Sequence, residues 1–319
     1  MKAIQFKSFG TPEVLEYLEL PTPQRDHDTA IVQVKSASVN PSDVKNVSGH
    51  FEHTTPPRIP GRDFSGVVVD GPAEWLGVEV WGTGGDIGFT LDGTHAEFIK
   101  IPLAGLARKP TNLSHEQAAA IGVNFVVAWL GTVEYAKLAP GETIAVIGAG
   151  GGVGGAVTQI AKARGSRVIG IDRHAPQAGS PAARLIDDFV LFDEATVEHV
   201  RALTGGVDVV YDAVGGVAFE TALQLVKRRG RVVEISATGR RRVEFDVIDF
   251  YHNETQLLGT DSAKLGVAES ARLMSALVEG FESGQFEAPL IARRFSLEHA
   301  RQAYEAVAAG TAGRVVINL

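Results

Sequence analysis

Residues 143–155 read TIAVIGAGGGVGG, a β-branched apolar run that ends in a turn rich in glycine. The next residues, 156–164, form a helical segment, so the pattern is strand, turn, helix. Glycine is needed where such a turn is tight, where the backbone approaches a pyrophosphate and where helix packs on strand. Residues 150–155 fit GxGxxG, and Gly148, Gly151 and Gly154 fit a spaced GxxGxxG. The stretch predicts a dinucleotide-binding turn.

Six strand candidates follow one another at intervals of about 20 to 25 residues. They are rich in β-branched residues and nearly continuous in apolarity, as expected for parallel strands that are covered on both faces. The candidates are Thr143–Ile147, Arg167–Ile171, Phe189–Phe192, Val207–Tyr211, Arg231–Ile235 and Gln256–Leu258. They predict a doubly wound parallel sheet of the nucleotide-binding type.

The second of these strands leads into Asp172, where an acid that reads a ribose is expected after the glycine-rich turn. A carboxylate there accepts from the 2′-hydroxyl of NAD and repels the 2′-phosphate of NADP. The neighbouring Arg173 has the opposite effect, because a guanidinium can receive that phosphate or stack on adenine. We therefore expect NAD(P)H as coenzyme, with NADH slightly favoured over NADPH.

The first part of the chain consists of short strand candidates separated by proline and glycine clusters. The candidates are Lys2–Phe6, Ala30–Ser38, Phe64–Val69, Glu79–Trp81 and His95–Ile101. This pattern predicts an all-β, barrel-like domain. Ser114 and Gln117 form a capping-box pattern that predicts the start of a helix. Residues 265–319 either extend the second domain or return to the first.

Composition limits the possible functions. The 319 residues are enough for about two domains. Cysteine is absent, which excludes thiolate nucleophiles and every zinc site built on cysteine. The net charge of -8 repels a phosphate backbone and argues against nucleic-acid binding. No stretch is a convincing membrane helix or export signal, so we expect a cytoplasmic protein without a membrane partner.

Four further motifs make the chain recognisable. They are residues 40–43 (NPSD), 60–66 (PGRDFSG), 207–216 (VDVVYDAVGG) and 313–316 (GRVV). With the order of the predicted elements, they resemble the medium-chain dehydrogenase/reductase superfamily along essentially the whole chain. Within it, they look like the zinc-independent quinone and enone oxidoreductase branch.

The resemblance implies an α/β fold class with a GroES-like β-barrel catalytic domain plus a Rossmann domain, the doubly wound parallel sheet. Residues 1–122 and 265–319 then form the catalytic domain, and residues 123–264 form the Rossmann domain. The active site is expected in the cleft, and a homodimer is implied.

The resemblance also implies coenzyme contacts. They are Asn40, Val127, Gly148, Gly151, Gly152, Val153, Gly154, Asp172, Arg173, Ala213, Val214, Ser236 and Ala237. Val127 departs from the family pattern, because relatives usually have threonine there. This difference affects one contact on the nicotinamide side and leaves the predicted fold unchanged.

The same pattern bears on zinc. In the zinc alcohol dehydrogenases a cysteine lies three residues before the aspartate that matches Asp43, and a His-Glu pair stands where this chain has Arg62 and Asp63. Asn40 and Arg62 replace the cysteine and the histidine, and arginine cannot bind zinc. The histidines at positions 50 and 53 lack a third ligand, so we expect them to be solvated and expect no bound metal.

Lys45 is the main candidate for catalysis, with Asn40 as the second. Plant-type enone and quinone reductases look like the NPxDxK pattern of residues 40–45, whereas many quinone oxidoreductases of the branch carry tyrosine at its last position. Hydride addition to a carbon conjugated with a carbonyl needs only mild stabilisation of the enolate oxygen, which a cation or proton donor supplies. The alternative is that Lys45 is a solvated surface lysine.

These observations predict a zinc-free, NAD(P)H-dependent reductase of small quinones or α,β-unsaturated carbonyls that acts by hydride transfer. The alternative enzymes are an alcohol dehydrogenase and an enoyl-thioester reductase of the same superfamily. The alternative outside enzymes is a non-catalytic, crystallin-like dinucleotide-binding protein.

Overall fold

A computed structural model describes residues Met1–Leu319, which form fifteen strands and ten α-helices. The strands are β1 (Lys2–Phe6), β2 (Leu15–Glu19), β3 (Thr29–Val39), β4 (Asp63–Asp70), β5 (Glu79–Gly82), β6 (Phe98–Pro102), β7 (Ala107–Arg108), β8 (Thr143–Ile147), β9 (Arg167–Asp172), β10 (Asp188–Leu191), β11 (Val207–Asp212), β12 (Val226–Glu234), β13 (Gln256–Gly259), β14 (Ile291–Ser296) and β15 (Arg314–Asn318). The helices are α1 (Pro41–Val47), α2 (His115–Ala119), α3 (Gly122–Trp129), α4 (Gly152–Ala163), α5 (Pro181–Leu185), α6 (Thr196–Thr204), α7 (Phe219–Leu225), α8 (Val247–His252), α9 (Val267–Glu282) and α10 (Ala300–Ala308). A π-helical segment, Leu130–Tyr135, directly follows α3. None of the helices is long and apolar enough to cross a membrane.

The chain divides into two compact units. The first contains Met1–Val126 and Ser262–Leu319, and the second contains Val127–Asp261. The predicted boundaries at residues 122 and 265 lie a few residues from this division. The first division falls inside α3, so neither a turn nor a change of composition marks it in the sequence.

The second unit is built on a six-stranded sheet in the order β10-β9-β8-β11-β12-β13, in which every neighbouring pair is parallel. Buried valine, isoleucine and alanine side chains of β8, β9, β11 and β12 form its core. The chain runs outward from β8 in both directions, and ligands of such sheets bind outside the carboxyl ends of the strands at this point. The predicted doubly wound sheet is confirmed.

The first unit contains an antiparallel hairpin, β1-β2, and a seven-stranded sheet along the path β14-β15-β3-β4-β5-β7, with β6 paired to β3. Because β15 pairs with β3, the end of the chain returns to the first unit. The sequence did not predict β2, whose residues LEYLE include only one buried side chain and therefore lack a clear apolar pattern. The predicted strand at His95 begins later, at Phe98, because the His95 N–H bonds to Pro60 in a loop.

Candidate active site

The glycine-rich turn joins β8 to α4 at the carboxyl edge of the six-stranded sheet. Gly148 has a φ of +81°, and its N–H donates to the Ile171 carbonyl oxygen at 2.8 Å. A Cβ atom on Gly154 would lie 2.1 Å from the Gly148 carbonyl oxygen. Glycine is therefore required at both positions, for the positive φ at one and for close packing of helix on turn at the other.

The start of α4 leaves three N–H groups outside the helical hydrogen-bond pattern. The first helical bond runs from the Gly155 N–H to the Gly151 carbonyl oxygen at 2.8 Å. The N–H groups of Gly152, Val153 and Gly154 come before it in the chain and have no acceptor within the helix. Gly151 and Gly152 are exposed, so a ligand can reach this backbone. Free N–H groups and the helix dipole together favour a phosphate. The turn fits the pyrophosphate of a dinucleotide coenzyme.

Asp172 ends β9 directly beside this turn. Its Oδ2 atom accepts from the Gly150 N–H at 3.0 Å, and its Oδ1 atom accepts from the Arg173 N–H at 2.7 Å. The carboxylate therefore stabilises the turn, which is a role additional to the predicted ribose contact. The Arg173 side chain is exposed.

The remaining strand-end contacts predicted in the second unit come together at the same edge of the sheet. The Thr238 N–H donates to the Val214 carbonyl oxygen at 2.9 Å, and Gly215 forms an isolated β-bridge with Ala237. A Cβ on Gly148 would lie 3.2 Å from the Val214 side chain. The backbone thus gathers the ends of three strands around the predicted residues Ala213, Val214, Ser236 and Ala237.

Val127 lies on α3 and is 5% exposed. Its carbonyl oxygen accepts from the Tyr211 hydroxyl at 2.8 Å, which ties α3 to β11. The backbone oxygen of Val127 is therefore already used within the second unit. Its contact with the coenzyme stays a prediction.

Sequence reasoning missed a pair of carboxyl groups at this edge. Asp212 and Glu234 are register partners at the ends of β11 and β12. The Asp212 Oδ1 atom accepts from the N–H groups of Val214 (2.9 Å) and Gly215 (2.7 Å). Burial and the Asp212 carboxylate raise the pKa of Glu234 to about 9. The signal in the sequence is an acid that ends each of two buried, apolar strands.

In the first unit, α1 positions the candidate residue Lys45. The helix begins after Asn40 with Pro41, and the Asp43 carboxylate accepts from the Asn40 N–H at 2.7 Å. Asp43 and other residues on one side of α1 are buried, whereas Lys45 is exposed. Its ammonium group makes no hydrogen bond or ion pair within the protein. The group is therefore available to a substrate oxygen.

Asn40, the second catalytic candidate, lies in a buried polar cluster. Its Nδ2 atom donates to Asp63 at 2.9 Å, and its Oδ1 atom accepts from Arg314 at 2.8 Å. Ser38 donates to the same Asp63 oxygen at 3.1 Å, and Arg314 forms an ion pair with it at 3.3 Å. Asn40 is 1% exposed and uses both ends of its amide within the unit. The cluster therefore fixes the loop from which α1 starts.

Arg62 connects three further segments of the first unit. Its Nε atom donates to the Gly84 carbonyl oxygen at 2.9 Å, and its Nη2 atom donates to the Ser262 carbonyl oxygen at 3.0 Å. The guanidinium also lies 5.4 Å from the centre of the Phe89 ring and within 3.5 Å of the Ser42 hydroxyl. A guanidinium has no lone pair for a metal, so this position does not fit a zinc ligand.

The two histidines with ligand-like spacing are both exposed, and the His53 ring stacks on Phe89 with ring centres 5.3 Å apart. The structure contains no group of three or more His, Asp or Glu side chains that could hold a metal ion. Burial lowers the pKa of His95 to about 4, so this interior imidazole is neutral at pH 7.

Two domain families match separate parts of the chain. An alcohol dehydrogenase GroES-like domain matches residues 26–111, and a zinc-binding dehydrogenase domain matches residues 152–279. A zinc-type alcohol dehydrogenase-like protein of Schizosaccharomyces pombe is 36% identical over 298 residues, covering 90% of this chain and 87% of the relative. The chain belongs to the medium-chain dehydrogenase/reductase superfamily.

Other members narrow its position in the superfamily. A quinone oxidoreductase of Pongo abelii is 28% identical, covering 100% of this chain and 98% of the relative. A 2-methylene-furan-3-one reductase of Solanum lycopersicum is 32% identical, covering 74% of this chain and 62% of the relative. A crystal structure of an NAD-dependent alcohol dehydrogenase superimposes with a TM-score of 0.89, at 30% identity and with both chains fully covered. This medium-chain dehydrogenase/reductase is an oxidoreductase of the quinone oxidoreductase branch.

Proposed function

We propose that this enzyme is a zinc-free, NAD(P)H-dependent reductase of quinones or α,β-unsaturated carbonyls. The observation that carries the proposal is Arg62. It stands where the zinc-dependent members have a histidine ligand, and its guanidinium is committed to two backbone carbonyl oxygens and to the Phe89 ring. Together with the absence of cysteine, it argues against a catalytic zinc ion.

Reaction chemistry then favours conjugated acceptors. Reduction of a simple ketone places charge on an oxygen that zinc normally stabilises. In a conjugated acceptor the hydride adds to carbon, and the charge spreads over an enolate that one hydrogen-bond donor can stabilise. The exposed Lys45 ammonium, held by α1, is the donor we assign to that oxygen.

The coenzyme supplies the hydride when it is bound. The N–H groups at the start of α4 would hold its pyrophosphate, and Asp172, which accepts from the Gly150 N–H, would accept from the adenosine ribose. The negative charge of Asp172 makes NADH slightly favoured over NADPH. Asn40 acts as a positioning residue, because its amide holds the start of α1 through Asp63 and Arg314.

Relatives support the two substrate classes and one rival function. The names quinone oxidoreductase and 2-methylene-furan-3-one reductase describe reduction of a quinone and of a conjugated carbonyl. The rival, an alcohol dehydrogenase, is favoured by the names of the S. pombe relative and of the superimposed structure.

A coenzyme-oxidation screen separates these functions. We expect NADH and NADPH to be consumed with quinones, enals and enones, and neither simple ketones nor primary alcohols to react. Unchanged rates in the presence of a chelator, and no stoichiometric zinc by elemental analysis, are expected for the same preparation. Turnover of an alcohol with NAD(P)⁺ that a chelator abolishes would establish the rival function.

The role of Lys45 is tested by Lys45→Met. Removal of one hydrogen-bond donor that acts in the transition state should lower kcat by roughly 10² or more and leave coenzyme affinity nearly constant. Lys100→Met is the matched control, since Lys100 is exposed in the same unit and only forms an ion pair with Asp26 at 2.7 Å. A decrease in kcat of less than about threefold with several enones and quinones would show that Lys45 is a solvated surface lysine without a catalytic role.

A further inference from the structure

The carboxyl edge of the six-stranded sheet contains two buried oxygens that face no hydrogen-bond donor. They are the Asp212 Oδ2 and Glu234 Oε1 atoms, on residues that pair in register at the ends of β11 and β12. Two ionised carboxylates cannot satisfy each other, but a single proton between them satisfies both. The other Asp212 oxygen is already held by the N–H groups of Val214 and Gly215.

The proton belongs mainly to Glu234. Burial raises the pKa of Asp212 as well, but two backbone N–H donors stabilise its ionised form, whereas Glu234 has no such donor and sits beside a negative charge. Burial and this neighbour raise the pKa of Glu234 to about 9, and Asp212 is the one charged group that acts on it. At neutral pH the pair therefore carries one proton and one negative charge.

The Asp212–Glu234 pair lies at the part of the sheet edge where the nicotinamide half of a dinucleotide is expected. In a doubly wound sheet the two halves of a dinucleotide lie on the two halves of the sheet, on either side of the point where the strand order reverses. Here the glycine-rich turn and Asp172 form the half around β8 and β9. The nicotinamide half would therefore lie over the ends of β11 and β12, which are the strands that end in Asp212 and Glu234.

We propose that the Asp212–Glu234 pair senses the charge of the nicotinamide ring and releases a proton when the ring is oxidised. This inference rests on the proposed function. The oxidised ring carries a positive charge and the reduced ring is neutral, so only the oxidised form stabilises ionised Glu234. During turnover the hydride takes two electrons to the substrate carbon, and the enolate takes up one proton from solvent, so the substrate gains two hydrogen atoms. At a pH where Glu234 ionises beside the oxidised ring, its proton leaves for solvent and returns when reduced coenzyme replaces the oxidised form.

Calorimetry in two buffers of different ionisation enthalpy measures the protons that each coenzyme form releases on binding. An opposite charge within about 4 to 6 Å of a carboxyl lowers its pKa by about one unit or more. At about pH 8.5 this shift empties about half of the Glu234 sites, so NAD(P)⁺ should release about half a proton more per chain than NAD(P)H. At about pH 6 the difference should vanish, because Glu234 stays protonated with either form.

Glu234→Gln should bind both coenzyme forms and release the same number of protons with each, because the amide still donates to Asp212 but cannot ionise. Glu198→Gln, an exposed position on α6, is the matched control and should keep it. Equal proton release by both forms in the parent protein, or a difference that survives Glu234→Gln, would overturn the inference alone. Failure to bind either coenzyme would overturn the proposed function as well. If the variant does not fold, proton release by the two coenzyme forms in the parent protein, measured at both pH values, still tests the inference.

Discussion

At the residue scale, Asp43 is a buried carboxyl with an unusual protonation state. One of its oxygens accepts from the Asn40 N–H, and the other is buried without a partner. Burial raises the pKa of Asp43 to about 7. Folded and unfolded chains both hold this proton below about pH 4, and between about pH 4 and 7 only the folded chain keeps it. Its contribution to stability is therefore full in acid and is lost as the pH rises through about 7.

Asp43→Asn tests this assignment. The asparagine oxygen still accepts from the Asn40 N–H, but the side chain does not titrate. The free energy of unfolding of the variant, relative to the parent, should increase by on the order of 1.4 kcal/mol for each pH unit crossed between about 4 and 7 and then level off. Urea titrations at several pH values measure it, with the exposed Asp70→Asn as control. A difference that does not depend on pH would contradict the raised pKa of Asp43.

Sequence motifs predicted some of the residues at the candidate site and missed others. Lys45 and Asp172 were predicted from short local patterns. Lys45 is exposed, so a ligand can reach it, and Asp172 lies next to the glycine-rich turn. The engagement of Asn40 by Arg314 was not predictable, because it depends on the pairing of β3 with β15 at opposite ends of the chain. The Asp212–Glu234 pair was missed for the same reason, since strand register brings the two acids together.

At the element scale, the bond from the Gly150 N–H to Asp172 links the turn between β8 and α4 to the end of β9. Asp172→Asn removes the charge and keeps an oxygen that can accept this bond. We expect the ratio of NADPH to NADH affinity to increase, because repulsion of the 2′-phosphate is relieved. Fluorescence titration with both coenzymes measures it, and Asp193→Asn on the loop after β10 is a control. An unchanged ratio would show that Asp172 does not face the ribose.

Strands differ in how far the sequence predicts them. Strands β8 and β9 are buried along most of their length, so continuous apolar runs mark them. The observed β12 begins at Val226, well before the predicted Arg231, because its first half is exposed and polar. The capping box at α2 was predicted from two residues and is confirmed, with the Gln117 N–H donating to Ser114 Oγ at 3.2 Å.

At the scale of the whole molecule, β13 is an edge strand with exposed apolar neighbours. Leu257 on β13 is 38% exposed, and Ile248 and Tyr251 on α8 are each 56% exposed. An unpaired edge beside apolar side chains favours pairing with a second chain. If the predicted homodimer forms, this edge is where we expect the two chains to pair.

Leu257→Lys should weaken that dimer, because a charge on an edge strand opposes pairing. Light scattering after size exclusion should give twice the 33.8 kDa chain mass for the parent protein and a mass near one chain for the variant. Leu191→Lys, which is 52% exposed on the opposite edge strand β10, should remain dimeric. A monomeric parent protein would contradict the dimer, and an unchanged Leu257→Lys would place the interface elsewhere.

Hydride transfer to a conjugated carbon without zinc can be tested directly by one isotope experiment. The enzyme, treated with chelator and shown by elemental analysis to be free of zinc, is given NAD(P)H deuterated at the transferring position of the nicotinamide together with an enone. We predict that NMR of the product shows a saturated ketone with deuterium on the carbon β to the carbonyl. Deuterium on the carbonyl carbon of an unsaturated alcohol, or transfer that appears only when zinc is restored, would contradict zinc-free hydride addition to the conjugated carbon.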